Sequence, residues 1–173
     1  MKPLVCIIMG SDSDLPVMAK AAEVLEEYKV GYSMQILSAH RTPEATLEFA
    51  KKAEENGYKV IIAGAGMAAH LPGVLASQTV LPVIGVPISG KVLDGQDALL
   101  SMVQMPPGIP VATVAINGAK NAAILGLQIL ALAEPSLKEV LKSERQRMKT
   151  DLSAKNEALA RLGHKNYIQE KLT

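Results

Sequence analysis

Leu4-Val-Cys-Ile-Ile-Met9, followed by Gly10-Ser-Asp-Ser-Asp14, decides the fold. An unbroken apolar run of this length predicts a strand buried on both faces, as in a parallel sheet, rather than one that alternates between core and solvent. The Gly/Ser/Asp cluster after it is turn chemistry, with Ser13 or Asp14 as helix cap and Pro16 in the first helical turn. Val17, Ala21, Val24, Leu25 and Tyr28 then fall on one helical face. The chain therefore opens with a strand–turn–helix unit, and the same alternation recurs downstream.

Tyr32 to Leu37 reads as the second strand, and Ser38-Ala-His-Arg-Thr42 as the loop after it. Thr42, Pro43 and Glu44 have the order of an N-cap, a first-position proline and a first-turn acid, with the helix running to Asn56 and closed by Gly57. Val60 to Ala63 is the third strand, Gly64 to Ala69 a glycine-bearing turn, and Pro82 to Val86 the fourth strand. A loop from Ser89 to Gly95, a helix near Asp97 to Val103 and a Pro-rich segment, Gln104 to Pro110, precede a fifth strand, Val111 to Ala115. About five strands joined by helices predict a flavodoxin-like, three-layer α/β/α sandwich with a central parallel sheet.

That unit fills residues 1–134. Its last helix, Ala119 to Ala133, is apolar on nearly every face; either a neighbouring subunit covers it or it is sandwiched within its own domain. Residues 135–173 read as a helical arm whose narrow stripe of Leu137, Leu141, Met148, Leu152 and Leu159 suits packing on a neighbouring subunit. Homo-oligomerisation is expected, with an order that periodicity does not reveal.

Composition narrows the function. Hydrophobic residues make up 49% of the chain but aromatics only 3%, so the core must be aliphatic. A net charge of +1 without a basic, aromatic-interleaved stripe argues against nucleic-acid binding. The single Cys6 lies in the first strand as a small buried hydrophobe, and no zinc-type Cys/His spacing is present, so metal-free chemistry is expected. No secretory signal is evident. The longest apolar stretch, Ala122 to Ala133, falls short of the ~20 residues of a membrane span. A cytoplasmic protein is expected.

In an open parallel sheet, ligands bind beyond the carboxyl ends of the strands. The loops Gly10 to Asp14, Ser38 to Arg41 and Gly64 to His70 all fall there, and helix starts after them favour an anion such as a phosphate. Ser11 and Ser13 can donate to that anion and Asp14 can accept from ribose hydroxyls; all three equally suit plain helix capping. An aspartate at the end of the third strand would suggest a phosphoacceptor, but Ala63 and Gly64 stand there. Gly64-Ala-Gly66-Met-Ala-Ala69 formally matches G-x-G-x-x-G/A, yet it follows the wrong strand and lacks the downstream acid. A backbone that lets a smaller ligand approach closely fits better. His40 can give and take a proton near neutral pH, and Arg41 beside it can fork onto a phosphate or carboxylate. His70 either lines the same pocket or bonds to backbone at a helix end.

Four segments together resemble the PurE family: Gly10 to Asp14, Ser38 to Pro43, Gly64 to Gly73, and Ser101 to Pro110. The resemblance spans roughly residues 4 to 133, and is nearest to its N5-carboxyaminoimidazole ribonucleotide mutase branch. It implies movement of a carboxyl group from N5 to C4 of an aminoimidazole ribonucleotide in purine biosynthesis, with no metal, biotin or ATP. It implies His40 as general acid/base and Ser11, Ser13, Asp14, Ser38 and Arg41 at the ribonucleotide. Gly64, Gly66, Met67, His70 and Leu71 are implied near the reacting carboxyl, in a homo-octamer with sites at subunit interfaces. A sister branch carboxylates aminoimidazole ribonucleotide directly with CO2; Arg41 and the Gly64–His70 segment side with the mutase. Met67 departs from the glycine common there. A flavin- or nucleotide-binding module is the competing class, and it would usually stack its cofactor on aromatics that this chain barely has.

Overall fold

Burial of β-branched runs on both faces builds the centre of the molecule. In the computed structural model, which describes residues 2–171, the strands β1 (Val5–Met9), β3 (Val60–Gly66) and β4 (Val83–Ile88) are almost wholly buried. The edge strands β2 (Tyr32–Ile36) and β5 (Ala112–Thr113) are only partly covered. All pair in parallel, in the order β2-β1-β3-β4-β5. The helices are α1 (Leu15–Glu27), α2 (Pro43–Lys52), α3 (Leu71–Ala76), α4 (Gln96–Val103), α5 (Ala119–Leu130) and α6 (Pro135–Lys171). The expected doubly wound α/β/α sandwich is what forms.

The sheet order reverses between β2 and β3 about β1. Loops leaving β1 and β3 consequently diverge to opposite faces and open a crevice at the carboxyl ends of the strands. On one face α1 packs over β1 and against α5, which covers β3 and β4. The other face holds Cys6, Ile8, Ile61, Leu75 and Met102 in a cluster completed by α2, α3 and α4. As the composition required, this core is aliphatic apart from Tyr58 and the flanking Phe49.

Several boundaries differ from the sequence reading. β3 continues through Gly64 to Gly66, so the glycines belong to a strand and the turn begins only at Met67. Gly64 is there because Met18 of α1 lies where its Cβ would be, the close approach that glycine within a strand often marks. β4 runs past Pro87; β5 pairs only as far as Gly85, so the missing proline N–H forfeits no ladder bond. β5 shrinks from the expected five residues to two. α2 ends at Lys52, and a turn closed by Gly57 at φ 92° replaces its last expected turn. On α1 the buried set is Met18, Ala21, Ala22, Val24 and Leu25, with Val17 and Tyr28 at its margins.

The chain divides into two compact units, Met1–Ala133 and Glu134–Thr173. In the first, α5 buries Ala122, Ala123, Gly126, Leu127 and Leu130 within its own unit, while Ile124, Leu125 and Ile129 stay half-exposed. The second is the long charged helix α6, interrupted at Gly163 (φ 71°, ψ 162°), with no buried residue. It carries surface ion pairs such as Glu139–Lys142 and leaves Met148, Leu152 and Leu159 exposed. Among the described residues no helix is long and apolar enough to cross a membrane.

Candidate active site

The loop after β1 is held by its own side chains. Ser11 Oγ accepts from the Ser13 amide at 3.3 Å, and Asp14 Oδ2 accepts from the Ser11 amide at 3.2 Å, a capping box around the single 3-10 turn Asp12–Asp14. Ser11 thus caps this turn together with Asp14, while Asp14 itself, one of the two expected residues, stands at the cap position of α1 without a side-chain cap bond to that helix. Ser13 remains exposed. Asp14 is buried, and that desolvation pushes its carboxyl above the ordinary value against the opposing pull of the Ser11, Ser13 and Gly10 hydrogen bonds and the Arg41 charge.

The loop after β2 folds on itself through Ser38 and Thr42. The Ser38 amide donates to Thr42 Oγ1 at 3.0 Å, and Thr42 Oγ1 donates back to the Ser38 carbonyl at 3.1 Å. Thr42 occupies the cap position of α2 without a side-chain cap bond, because its hydroxyl closes this loop instead. Ser38 Oγ accepts from the Arg41 amide at 3.1 Å, and Arg41 Nη2 donates to the Gly10 carbonyl at 2.6 Å. The guanidinium thus ties the β2 loop to the β1 loop with further N–H groups to spare. His40 stands between these anchors.

The third loop leaves β3 at Gly66. Met67 adopts a left-handed backbone (φ 53°), with its side chain 70% exposed. The turn then delivers His70 to the start of α3. His70 Nδ1 lies 2.8 Å from His40 Nε2, and the two rings meet edge to face with centroids 5.0 Å apart. Leu71, buried beneath them, anchors the turn in the core.

These loops line a cavity of about 380 Å³ that gathers Ser11, Ser13, Asp14, Ser38, His40, Arg41, Gly66, Met67, His70 and Leu71. Of the expected site residues, Gly64 alone is not part of the lining; its carbonyl accepts from the Gly10 amide at 3.3 Å, inside the sheet. Gly10, Ala39, Ala65 and Ala68 complete the wall. Sequence reasoning passed over them because glycine and alanine offer a ligand only backbone and space. A second cavity of about 370 Å³ shares Gly10, Ser11, Ser38 and Arg41 and adds Asp12, Ile36 and Thr42. Arg41 therefore lines both cavities, which together offer room for a ligand with a base-sized part and an anionic part.

A larger groove of about 870 Å³ opens at the amino ends of β4 and β5, with Lys51 and Glu54 its only charged lining residues. Its Lys51 and Glu54 lie at the amino ends of the strands, away from the carboxyl-end crevice where ligands of such sheets bind, so the smaller cavity is the better candidate. Among the described residues, no three His, Cys, Asp or Glu side chains are gathered as a metal site would need.

The chain is similar to known proteins in sequence and in fold. A family model described as AIR carboxylase matches residues 4–151. The N5-carboxyaminoimidazole ribonucleotide mutase of Pyrococcus horikoshii is 62% identical over 169 residues, covering 98% of this chain and 96% of that protein. The phosphoribosylaminoimidazole carboxylase of Schizosaccharomyces pombe is 54% identical over 165 residues, 95% of this chain but 30% of that longer protein. The crystal structure of Treponema denticola PurE superposes with a TM-score of 0.79 at 30% identity, covering 94% of this chain and 99% of that one.

Proposed function

The chain belongs to the AIR carboxylase (PurE) family, and we propose that it is an N5-carboxyaminoimidazole ribonucleotide mutase of purine biosynthesis with His40 as its proton carrier. The observation that carries the reading is the 2.8 Å bond between His40 and His70 in the cavity between the β1, β2 and β3 loops. The high identity to a mutase along nearly the whole of both chains supports the choice of reaction.

In the proposed sequence the N5 carbamate loses CO2 and the amine nitrogen takes a proton from His40. The electron-rich C4 then attacks the retained CO2, and the C4 proton passes to His40, restoring aromaticity. One proton leaves the imidazole and one returns, so a single residue balances both halves. Proton transfer of this kind contributes about 10²–10⁴-fold to rate. His70 holds the His40 ring and its tautomer through their shared bond. Arg41, Ser11, Ser13 and Ser38 offer donors to the phosphate, and Asp14 accepts from ribose hydroxyls. Backbone at Gly66 and Met67, above Leu71, takes the carboxyl side.

The reaction runs without metal, biotin or ATP, in the cytoplasm, in a homo-octamer. The exposed stripe on α6 and the half-exposed Ile124, Leu125 and Ile129 of α5 support burial by neighbouring copies.

The test offers the purified protein N5-carboxyaminoimidazole ribonucleotide, and separately aminoimidazole ribonucleotide with bicarbonate, both without ATP. Rapid 4-carboxyaminoimidazole ribonucleotide from the first and little from the second is expected. Preference for the second would transfer the protein to direct carboxylation, the reading favoured by its similarity to the Schizosaccharomyces pombe carboxylase. Turnover of neither would end the enzymatic proposal.

A further inference from the structure

We infer that Asn117, which lies outside the cavity, is a positioning residue that holds the Gly66–Met67 wall of the site through the backbone of residues 88–90. Its kinetic consequence rests on the mutase reading; its geometry does not.

Asn117 follows β5 in a left-handed conformation, φ 58°, which asparagine tolerates better than most residues. Its amide donates to the Pro87 carbonyl at 2.8 Å. Its side-chain Oδ1 accepts from the Ser89 amide at 3.0 Å, and its Nδ2 donates to Ser89 Oγ at 2.8 Å. β5 pairs only as far as Gly85, so the end of β4 would otherwise have exposed backbone on that side. Asn117 supplies what the ladder no longer does.

The other side of the same segment supports the site. Gly66 pairs with Ile88, and a Cβ at Gly66 would lie 3.3 Å from the Ile88 carbonyl oxygen. Met67 Cγ is 3.9 Å from where a Cβ on Gly90 would sit. The Gly66–Met67 wall therefore rests against residues 88–90. The far end of the following loop returns to the same turn: a Cβ at Gly95 would meet Ile116 Cγ2 at 2.8 Å and Ser89 Cα at 3.0 Å. Both ends of the 89–95 loop are thus seated on the turn that Asn117 forms.

Two substitutions separate the clamp from the turn. Asn117→Gly accepts the left-handed backbone but removes both side-chain bonds. Asn117→Asp keeps an acceptor for the Ser89 amide and a second oxygen to which the Ser89 hydroxyl can donate. The readouts are steady-state kinetics, the fraction of product retaining label from carboxyl-¹³C substrate in unlabelled bicarbonate, and hydrogen exchange of a peptide covering residues 64–70 in the intact protein. In Asn117→Gly, kcat should fall at least about tenfold with KM little changed, because a misplaced wall loses orientation and water exclusion. Label retention should fall and exchange at 64–70 quicken, while Asn117→Asp should recover most of each. Parental exchange at 64–70 in Asn117→Gly, or equal losses in both variants, would overturn the inference. An inactive parent would count against the mutase reading alone, since the exchange result still decides this one.

Discussion

His40 Nε2 and His70 Nδ1 face each other across 2.8 Å, with their ring planes 79° apart. A bond between two imidazole nitrogens needs one N–H and one lone pair, so it is lost when both rings are doubly protonated. The pair therefore joins ring orientation to proton inventory: whichever nitrogen gives the proton fixes the tautomer of the other ring. The two residues come from different loops, after β2 and after β3, and only the reversal of strand order around β1 brings them together.

Removing either ring should have unequal effects. His40→Asn should lower kcat by at least about 100-fold, the scale of a lost general acid/base. His70→Asn should lower kcat by roughly tenfold through loss of orientation, with KM little changed. Pre-steady-state product formation checks both. Equal, total loss in the two variants would instead make His70 a direct participant.

Met67 carries a left-handed backbone that glycine adopts freely. A side chain in that region costs about 1–2 kcal/mol, part of which glycine returns through its more flexible unfolded chain. Met67→Gly should therefore stabilise the protein by up to about 1 kcal/mol, visible as a higher urea midpoint with an unchanged slope. A lower midpoint would show that the exposed side chain contributes packing that outweighs the strain.

The fold was legible because its signals are local. The run from Leu4 to Met9 could only be a buried strand, and each polar loop after a strand carried its own punctuation. That His40, Arg41 and Asp14 would meet in one cavity was legible because each follows a strand, and an open parallel sheet brings its strand ends together. Gly64 was misread as part of a turn because a glycine that makes room for Met18 looks no different in sequence from one that bends the chain. Which of Ser11, Ser13 and Asp14 caps stays open in the sequence because all three favour that role, and only the folded loop shows Ser11 accepting from the Ser13 amide. Asn117 was invisible, because its partner Ser89 is 28 residues away.

Cys6 lies buried in β1, its sulfur accepting from Ser33 Oγ at 3.3 Å, which in turn bonds the Tyr58 hydroxyl at 2.8 Å. Burial pushes the thiol up to about 11, against the weaker opposing effect of Ser33. The thiolate is the reactive form, so the native protein should resist alkylation at pH 8 and react at one equivalent in urea. Native labelling as fast as that of the unfolded chain would contradict the packing around β1. An acid raised on folding costs stability as pH rises from its unfolded value of 9.0 towards 11, and Cys6→Ala should lessen that alkaline loss.

Asp14 gives the same sign at the other end of the scale. Its folded carboxyl is raised above 3.8, chiefly by burial, so the native state holds the proton more tightly than the unfolded chain does. Stability should then be greatest below 3.8 with respect to this group, and decline through the window between 3.8 and the raised folded value. Asp14→Asn leaves a carbonyl able to accept from the Ser11 amide, so the loop can keep its cap while the titration disappears. Urea midpoints of both proteins measured in steps from pH 3.5 to 7 isolate the effect, because every other titrating group cancels in the difference. The parent should lose stability relative to Asp14→Asn as pH rises. A relative gain would mean that the Arg41 charge and the surrounding donors outweigh burial, and that Asp14 is held ionised, ready to accept from a ribose. Binding of the ribonucleotide should weaken in Asp14→Asn in either case, since an amide offers one acceptor oxygen where the carboxylate offers two.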